Sequence, residues 1–163
     1  MIEITMVKDI DVASVASLAK EIWEEHFTPI IGEDQVAYMV DKFQSETAIT
    51  NQILKEGYTY YKIVEEGQLV GYMAVVFNEE ETFLSKLYLH KSVRGKGYAS
   101  FALKYLQLLC KERGCHSIWL TCNKDNATTI AKYKKMGFEI FDSVVNDIDN
   151  GFVMDDYYLR KTF

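Results

Sequence analysis

The stretch from Phe83 to Arg113 constrains the fold of this chain more than any other. An apolar, β-rich segment, Phe83 to Leu89, runs into the basic glycine turn Arg94-Gly95-Lys96-Gly97-Tyr98-Ala99. A strongly periodic segment, Ala99 to Arg113, follows it. The periodicity predicts a helix whose apolar stripe is Ala99, Ala102, Leu103, Leu106, Leu109 and Cys110, closed by Gly114. Ser117 to Cys122 is again apolar and β-rich. Strand, crossover helix and strand imply a right-handed parallel pair. A tight glycine turn opening a helix also turns backbone N–H groups and a helix N-terminus toward an anion, and phosphate is the obvious anion.

Two phosphate-binding folds are excluded by spacing. The turn lacks the Gly-x-Gly-x-x-Gly string of dinucleotide folds, and no second strand–helix–strand half exists. No Gly-x-x-x-x-Gly-Lys-Ser/Thr string of a P-loop occurs either.

The rest of the chain predicts an α+β domain spanning residues 1–163, of a size that supports its own core. Met1 to Met6 alternates as a strand. Val12, Val15, Ala16, Ala19, Ile22 and Trp23 recur on one helical face, and Pro29 and Gly32 are expected to break the chain after Glu24-Glu25-His26. A second helix is expected from Glu33. A third is capped by Ser45, with Ile49, Ile53 and Leu54 turned inward. Tyr58 to Val64 and Leu69 to Phe77 read as a hairpin about Glu65-Glu66-Gly67-Gln68, and Phe83 to Leu89 extends it to a meander. Thr128 to Met136 reads as a short helix, and Phe138 to Val145 and Phe152 to Arg160 as two late strands. The expected architecture is a mixed, mostly antiparallel sheet of about seven strands, with helices on both faces and one central parallel pair.

Charge and residue counts narrow the function. With 18 basic against 24 acidic side chains the net charge is −6, against a nucleic-acid partner and mildly favouring a cationic one. No apolar run has membrane-spanning length, and the acidic, alternating Met1-Ile2-Glu3-Ile4 is not a signal peptide. Cys110, Cys115 and Cys122 form no Cys-x-x-Cys pair, and His26, His90 and His116 have no zinc-ligand spacing. Reduced thiols, a cytoplasmic setting and no metal are expected.

Two motifs carry a resemblance. Arg94-Gly95-Lys96-Gly97-Tyr98-Ala99 matches the Arg/Gln-x-x-Gly-x-Gly/Ala signature of the GNAT N-acetyltransferase family, between a strand and a long helix as in that family. The string Asn126-x-x-x-x-x-x-Tyr133-x-x-x-Gly137-Phe138 is similar to the family's second motif, and the element order also fits. Thr129 departs from the pattern, since many relatives carry Ala there.

The resemblance implies an acyl-CoA N-acyltransferase fold whose two central parallel strands splay around acetyl-CoA. Leu87, Tyr88 and Leu89 would hold the pantetheine arm by main-chain bonds, with the Leu87 N–H as oxyanion donor. Arg94, Gly95, Lys96, Gly97, Tyr98 and Ala99 would cradle the pyrophosphate. Asn126 would contact the pantetheine, order the loop or cap the following helix. Tyr133 would protonate the leaving thiolate, its alternative being a core tyrosine beside Ile130 and Met136. Glu24, Glu25, His26 and Asp155 are candidate bases. Direct attack by the amine, without a covalent enzyme intermediate, is the implied route. The acidic and aromatic runs at Trp23–Phe27 and Met154–Tyr158 suit a cationic acceptor. A small amine or polyamine is expected first, a peptide N-terminus or lysine second, with a homodimer as a further expectation. A non-catalytic acyl-CoA-binding module and a binder of some other phosphorylated ligand are the rival classes.

Overall fold

A computed structural model describes all 163 residues. The elements follow the expected order: β1 (Ile2–Met6), α1 (Val12–Ile31), α2 (Glu33–Phe43), α3 (Glu46–Lys55), β2 (Thr59–Glu65), β3 (Gln68–Val76), β4 (Thr82–Leu89), α4 (Tyr98–Glu112), β5 (Ser117–Asn123), α5 (Ala127–Lys135), β6 (Glu139–Asp147) and β7 (Val153–Thr162). The seven strands form one sheet in the order β1-β2-β3-β4-β5-β7-β6, and every neighbouring pair is antiparallel except β4 and β5. The α1 and α3 side chains Val15, Ala19, Ile22 and Ile49 pack with Tyr60, Tyr72 and Ala74 on one face. On the other face Ala102, Leu103, Leu106 and Cys110 of α4 and Ile130 and Tyr133 of α5 pack with Met73, Val75, Leu84, Ile118 and Leu159. Alternation along each strand serves both layers, which is why the sheet reads as apolar throughout its middle.

Helix α1 is longer than its sequence predicts. Pro29 was expected to lie in a loop after residue 24; instead the helix runs through it to Ile31 and ends where Gly32, at φ +88°, donates to the Thr28 carbonyl at 3.0 Å. A proline inside a helix costs about 3 kcal/mol. The extra turns offset this by burying Trp23 and Phe27, whose rings stack at 4.2 Å, against Val36, Met39 and Ile148. Each such side chain contributes about 1.5–3 kcal/mol on burial. The apolar loop expected over Glu25 to Gly32 is therefore a helix end. In α3 the Ser45 hydroxyl accepts from the Ala48 N–H at 3.2 Å, as expected of the cap. Leu54, expected inside, is 71% exposed, because Ile49, Gln52 and Ile53 take the inner face.

The parallel pair is brief. Only Thr82 with Ile118 and Phe83 with Trp119 are in register, and the stacked Phe83 and Trp119 rings, 4.3 Å apart, mark the last rung. Beyond it the strands separate. The cause lies in β4: Ala74 pairs with Lys86 and Val75 with Leu84, so Ser85 is an extra, bulged residue. A bulge bends its strand and raises its twist. It also reverses the alternation. Thr82 and Leu84 point toward α4 before the bulge, Leu87 and Leu89 after it, and Lys86 and Tyr88 turn toward α1 and α3.

Candidate active site

Where β4 and β5 part, a cavity of about 380 Å³ opens between the helical layers. Its walls include Leu87, Tyr88 and Leu89 of β4, Leu120 to Asn123 of β5, Asn126, Thr129, Lys132 and Tyr133 at α5, and Trp23, His26 and Phe27 of α1. One end reaches Arg94 and Ala99 at the glycine turn, and the other lies beneath Ile31, Met39 and Phe43.

The glycine turn has the backbone of an anion site. Gly95 and Gly97 have φ of +81° and +84°, values that favour glycine, and a Cβ on either would meet no protein atom within 4 Å. Helix α4 starts at Tyr98, and its first turn closes when the Phe101 N–H donates to the Gly97 carbonyl. The six N–H groups from Gly95 to Ser100 have no partner within the protein. They form a cradle at a helix N-terminus, the arrangement that takes a phosphate. The two basic side chains of the turn have partners within the protein. Arg94 donates through Nε to the Leu89 carbonyl at 3.1 Å and pairs with Glu25 at 2.7 Å. Lys96 lies 3.9 Å from Glu65, which also accepts from the Tyr98 hydroxyl.

Strand alternation sorts the three β4 residues. His90 donates to the Val70 carbonyl at 2.8 Å, so the antiparallel rhythm turns the main-chain groups of Tyr88 toward β3 and those of Leu87 and Leu89 toward the gap. The Leu89 carbonyl is already engaged by Arg94. Tyr88 contributes its ring, packed against Trp23, Phe27 and Tyr72. At Gly71 the backbones of β3 and β4 come close; a Cβ there would lie 2.7 Å from the Tyr88 carbonyl oxygen.

Asn126 is 5% exposed and makes no side-chain cap to α5; its Oδ1 accepts from Nε2 of His26 at 3.2 Å. That bond joins α1 to α5 across the cavity. Burial lowers the His26 pKa, opposed by the Asn126 bond. Tyr133 is 9% exposed, with its ring edge-on to Phe138. Burial pushes its phenol well above the ordinary value, so it is a proton donor at neutral pH. Cys122 lines the same wall, and burial pushes its thiol up to about 12.

Of the candidate bases, only His26 lines the cavity. Glu24 lies 3.9 Å from Lys20 on the outer face of α1. Glu25 is paired with Arg94, and that bond holds its carboxyl below the usual range. Asp155 is paired with Lys124 at 2.7 Å.

Two further residues line the cavity, one inside the run Met154–Tyr158 and one unmarked in the sequence. Asp156 is 4% exposed, lines the cavity and makes no hydrogen bond to the protein; burial, then the nearby Asp155, raises its carboxyl to about 6. Tyr157 and Leu159 pack into the α4 layer and Met154 into the α1 layer, so period-two alternation puts Asp156 on the α1 face beside Met154 and Asp155 on the opposite face. That alternation was the available signal. Lys86 is 5% exposed and donates to the Phe43 carbonyl, to Gln52 Oε1 at 3.0 Å and to the Tyr60 hydroxyl. Burial lowers its pKa to about 7. No sequence signal marks it, because the Ser85 bulge decides which way it points.

The match to known proteins agrees with this geometry. Residues 16–138 match the model of the Acetyltransferase (GNAT) family. The chain belongs to the GNAT acetyltransferase family. An uncharacterized N-acetyltransferase of Mycobacterium tuberculosis is 24% identical over 131 residues, covering 80% of this chain and 84% of the relative. The crystal structure of PaiA N-acetyltransferase from Thermoplasma acidophilum in complex with coenzyme A superposes with a TM-score of 0.85 at 19% identity, over 100% of this chain and 99% of that one. A GCN5-related N-acetyltransferase structure from Rhodopseudomonas palustris superposes with a TM-score of 0.81 at 16% identity, over 99% and 95%. The GNAT match includes the glycine turn, Asn126 and Tyr133 but stops before β7, so Asp156 lies outside it.

Proposed function

We propose that this protein transfers an acetyl group from acetyl-CoA to a primary amine. Small amines and polyamines form one acceptor class, and peptide N-termini and lysines the other. The observation that carries the reading is the continuity of three features. Six free N–H groups at the glycine turn lead into the gap between β4 and β5, and the gap opens on a cavity walled by a buried tyrosine. The family's coenzyme fits residues of this chain: the Gly95–Ser100 N–H groups for the pyrophosphate and the gap-facing groups of Leu87 for the pantetheine amides. Asn126 and Thr129 stand on the α5 side.

Bound acetyl-CoA supplies an activated thioester carbonyl. The Leu87 N–H points into the gap, where it can stabilise an oxyanion. Tyr133 keeps its proton at neutral pH and gives it to the departing sulfur. With its thiol pushed up to about 12, Cys122 holds almost no thiolate near neutrality, which supports direct attack by the amine without an acyl-enzyme.

Thiol release from acetyl-CoA in the presence of a panel of primary amines tests the reading. Amine-dependent release is the expected result. Coenzyme binding with no release across the panel would favour a binding module instead.

A further inference from the structure

The cavity's charges are lopsided. Among the residues that line it, His26, Lys86, Arg94 and Lys132 are basic and Asp156 is the one carboxylate. Arg94 and Lys132 stand toward the glycine turn and α5, the coenzyme side. Lys86 stands at the opposite end, with Ile31, Met39 and Phe43. Its hydrogen bonds are used inside the protein, so it offers an acceptor no spare donor, and it is charged only below about pH 7. The glutamines at this end are also engaged. Gln44 accepts from Tyr72, Gln52 from Tyr60 and Lys86, and Gln35 donates to the Val153 carbonyl. Of the acidic residues in the two runs expected to suit a cation, Glu24, Glu25 and Asp155 lie outside the cavity and Asp156 lines it.

We propose that Asp156 is the anionic anchor for the acceptor's ammonium and the base that takes its proton, and that the acceptor is a monocation with an apolar body. This rests on the acetyltransferase reading of the same site. A buried carboxylate without a hydrogen-bond partner is costly and gains its partner when a cation binds. A second ammonium on the acceptor would find no second carboxylate in the cavity, and at or below pH 7 Lys86 adds like charge to the lining. The step balances. The R–NH3⁺ group gives one proton to the Asp156 carboxylate. The freed lone pair forms the C–N bond as the C–S bond breaks, and the sulfur takes the Tyr133 proton. The second proton of the nitrogen returns through water to the tyrosinate, and Asp156 releases its own to solvent. A carboxyl titrating near 6 is ionised at neutral pH and close enough to the solvent range to turn over. The groups facing Asp156 are Tyr88 of β4, Cys122 of β5 and the Lys124–Asp155 pair.

Hexylamine and hexamethylenediamine, which differ in one terminal ammonium, are the probes. Calorimetry on the CoA-loaded protein should show hexylamine bound at least about tenfold tighter, and Asp156→Asn should lose at least about tenfold of that affinity. Carbon-detected NMR should find one aspartate carboxyl titrating near 6 in the parent and absent from Asp156→Asn. The acid limb of kcat/KM should follow the same group, vanishing in Asp156→Asn and persisting in His26→Gln. CoA-induced thermal shift checks that each variant is folded, and Asp156→Glu, which keeps the charge, should restore part of the binding. Tighter binding of the diamine, or unchanged binding and an unchanged limb in Asp156→Asn, would overturn the proposal. Absence of thiol release while hexylamine still binds through Asp156 would instead overturn the acetyltransferase reading and the base role with it, and leave Asp156 as the cation anchor.

Discussion

Arg94 and Glu25 meet at 2.7 Å, and this ion pair fastens the C-terminal half of α1 to the glycine turn. The same guanidinium holds the Leu89 carbonyl, so one side chain fixes three segments around one end of the cavity. Arg94→Ala should weaken CoA binding by about 1–3 kcal/mol, the range for a hydrogen bond to a charged group, and lower Tm. Glu25→Gln should cost less, since Arg94 keeps Leu89. Calorimetric titration with CoA and thermal unfolding measure both.

Gly97→Ala separates backbone strain from ligand contact. The φ of +84° costs an alanine about 1–2 kcal/mol, while its Cβ meets no protein atom. Tm should fall modestly. CoA affinity should fall further than strain alone predicts, because the methyl group enters the side from which a phosphate approaches the N–H cradle.

Tyr133→Phe should reduce kcat by about a hundredfold or more and leave the Kd for CoA nearly unchanged. Single-turnover thiol release is the measurement. An unchanged kcat would assign the tyrosine to packing against Phe138, where its ring already sits.

Asp156 also makes a stability prediction. Its folded pKa, about 6, lies above the usual carboxylate value, so the native state binds the extra proton between roughly pH 4 and 6. Stability therefore falls as pH rises through that window, and the full cost stands above it. Asp156→Asn should unfold at higher temperature than the parent at pH 7.5 by up to about 3 kcal/mol of stability. The difference should shrink toward zero below pH 4. Thermal melts across that range provide the check.

Lys86 ties the last carbonyl turn of α2 and Gln52 of α3 to β4. Lys86→Met should remove three hydrogen bonds, while Gln52 still pairs with the Phe43 carbonyl and the Tyr60 hydroxyl, and destabilise the protein by about 1–3 kcal/mol. The loss should be largest at alkaline pH. With its pKa lowered to about 7, the buried lysine is neutral above that value and bears its desolvation cost below it. Chemical denaturation at pH 6 and pH 9 distinguishes the two.

Local pattern was enough for much of this protein. The 3.6-residue stripe of α4, the Ser45 cap, the hairpin glycines and the β–turn–α arrangement around Gly95 and Gly97 depend on neighbours in sequence, and the sequence displays them. Asn126 and Tyr133 of the second motif line the cavity together, since both are placed by the same short element. Tertiary structure alone decided three things. Burial of Trp23 and Phe27 outweighs the proline penalty and carries α1 past Pro29. The Ser85 bulge opens β4 from β5 and reverses its faces, sending Lys86 under α2 and α3. The pairing of β7 with β5 and β6 assigns the two adjacent aspartates to opposite faces, one to Lys124 and one to the cavity. In each case the deciding energy is between residues distant in the chain, where periodicity carries no information.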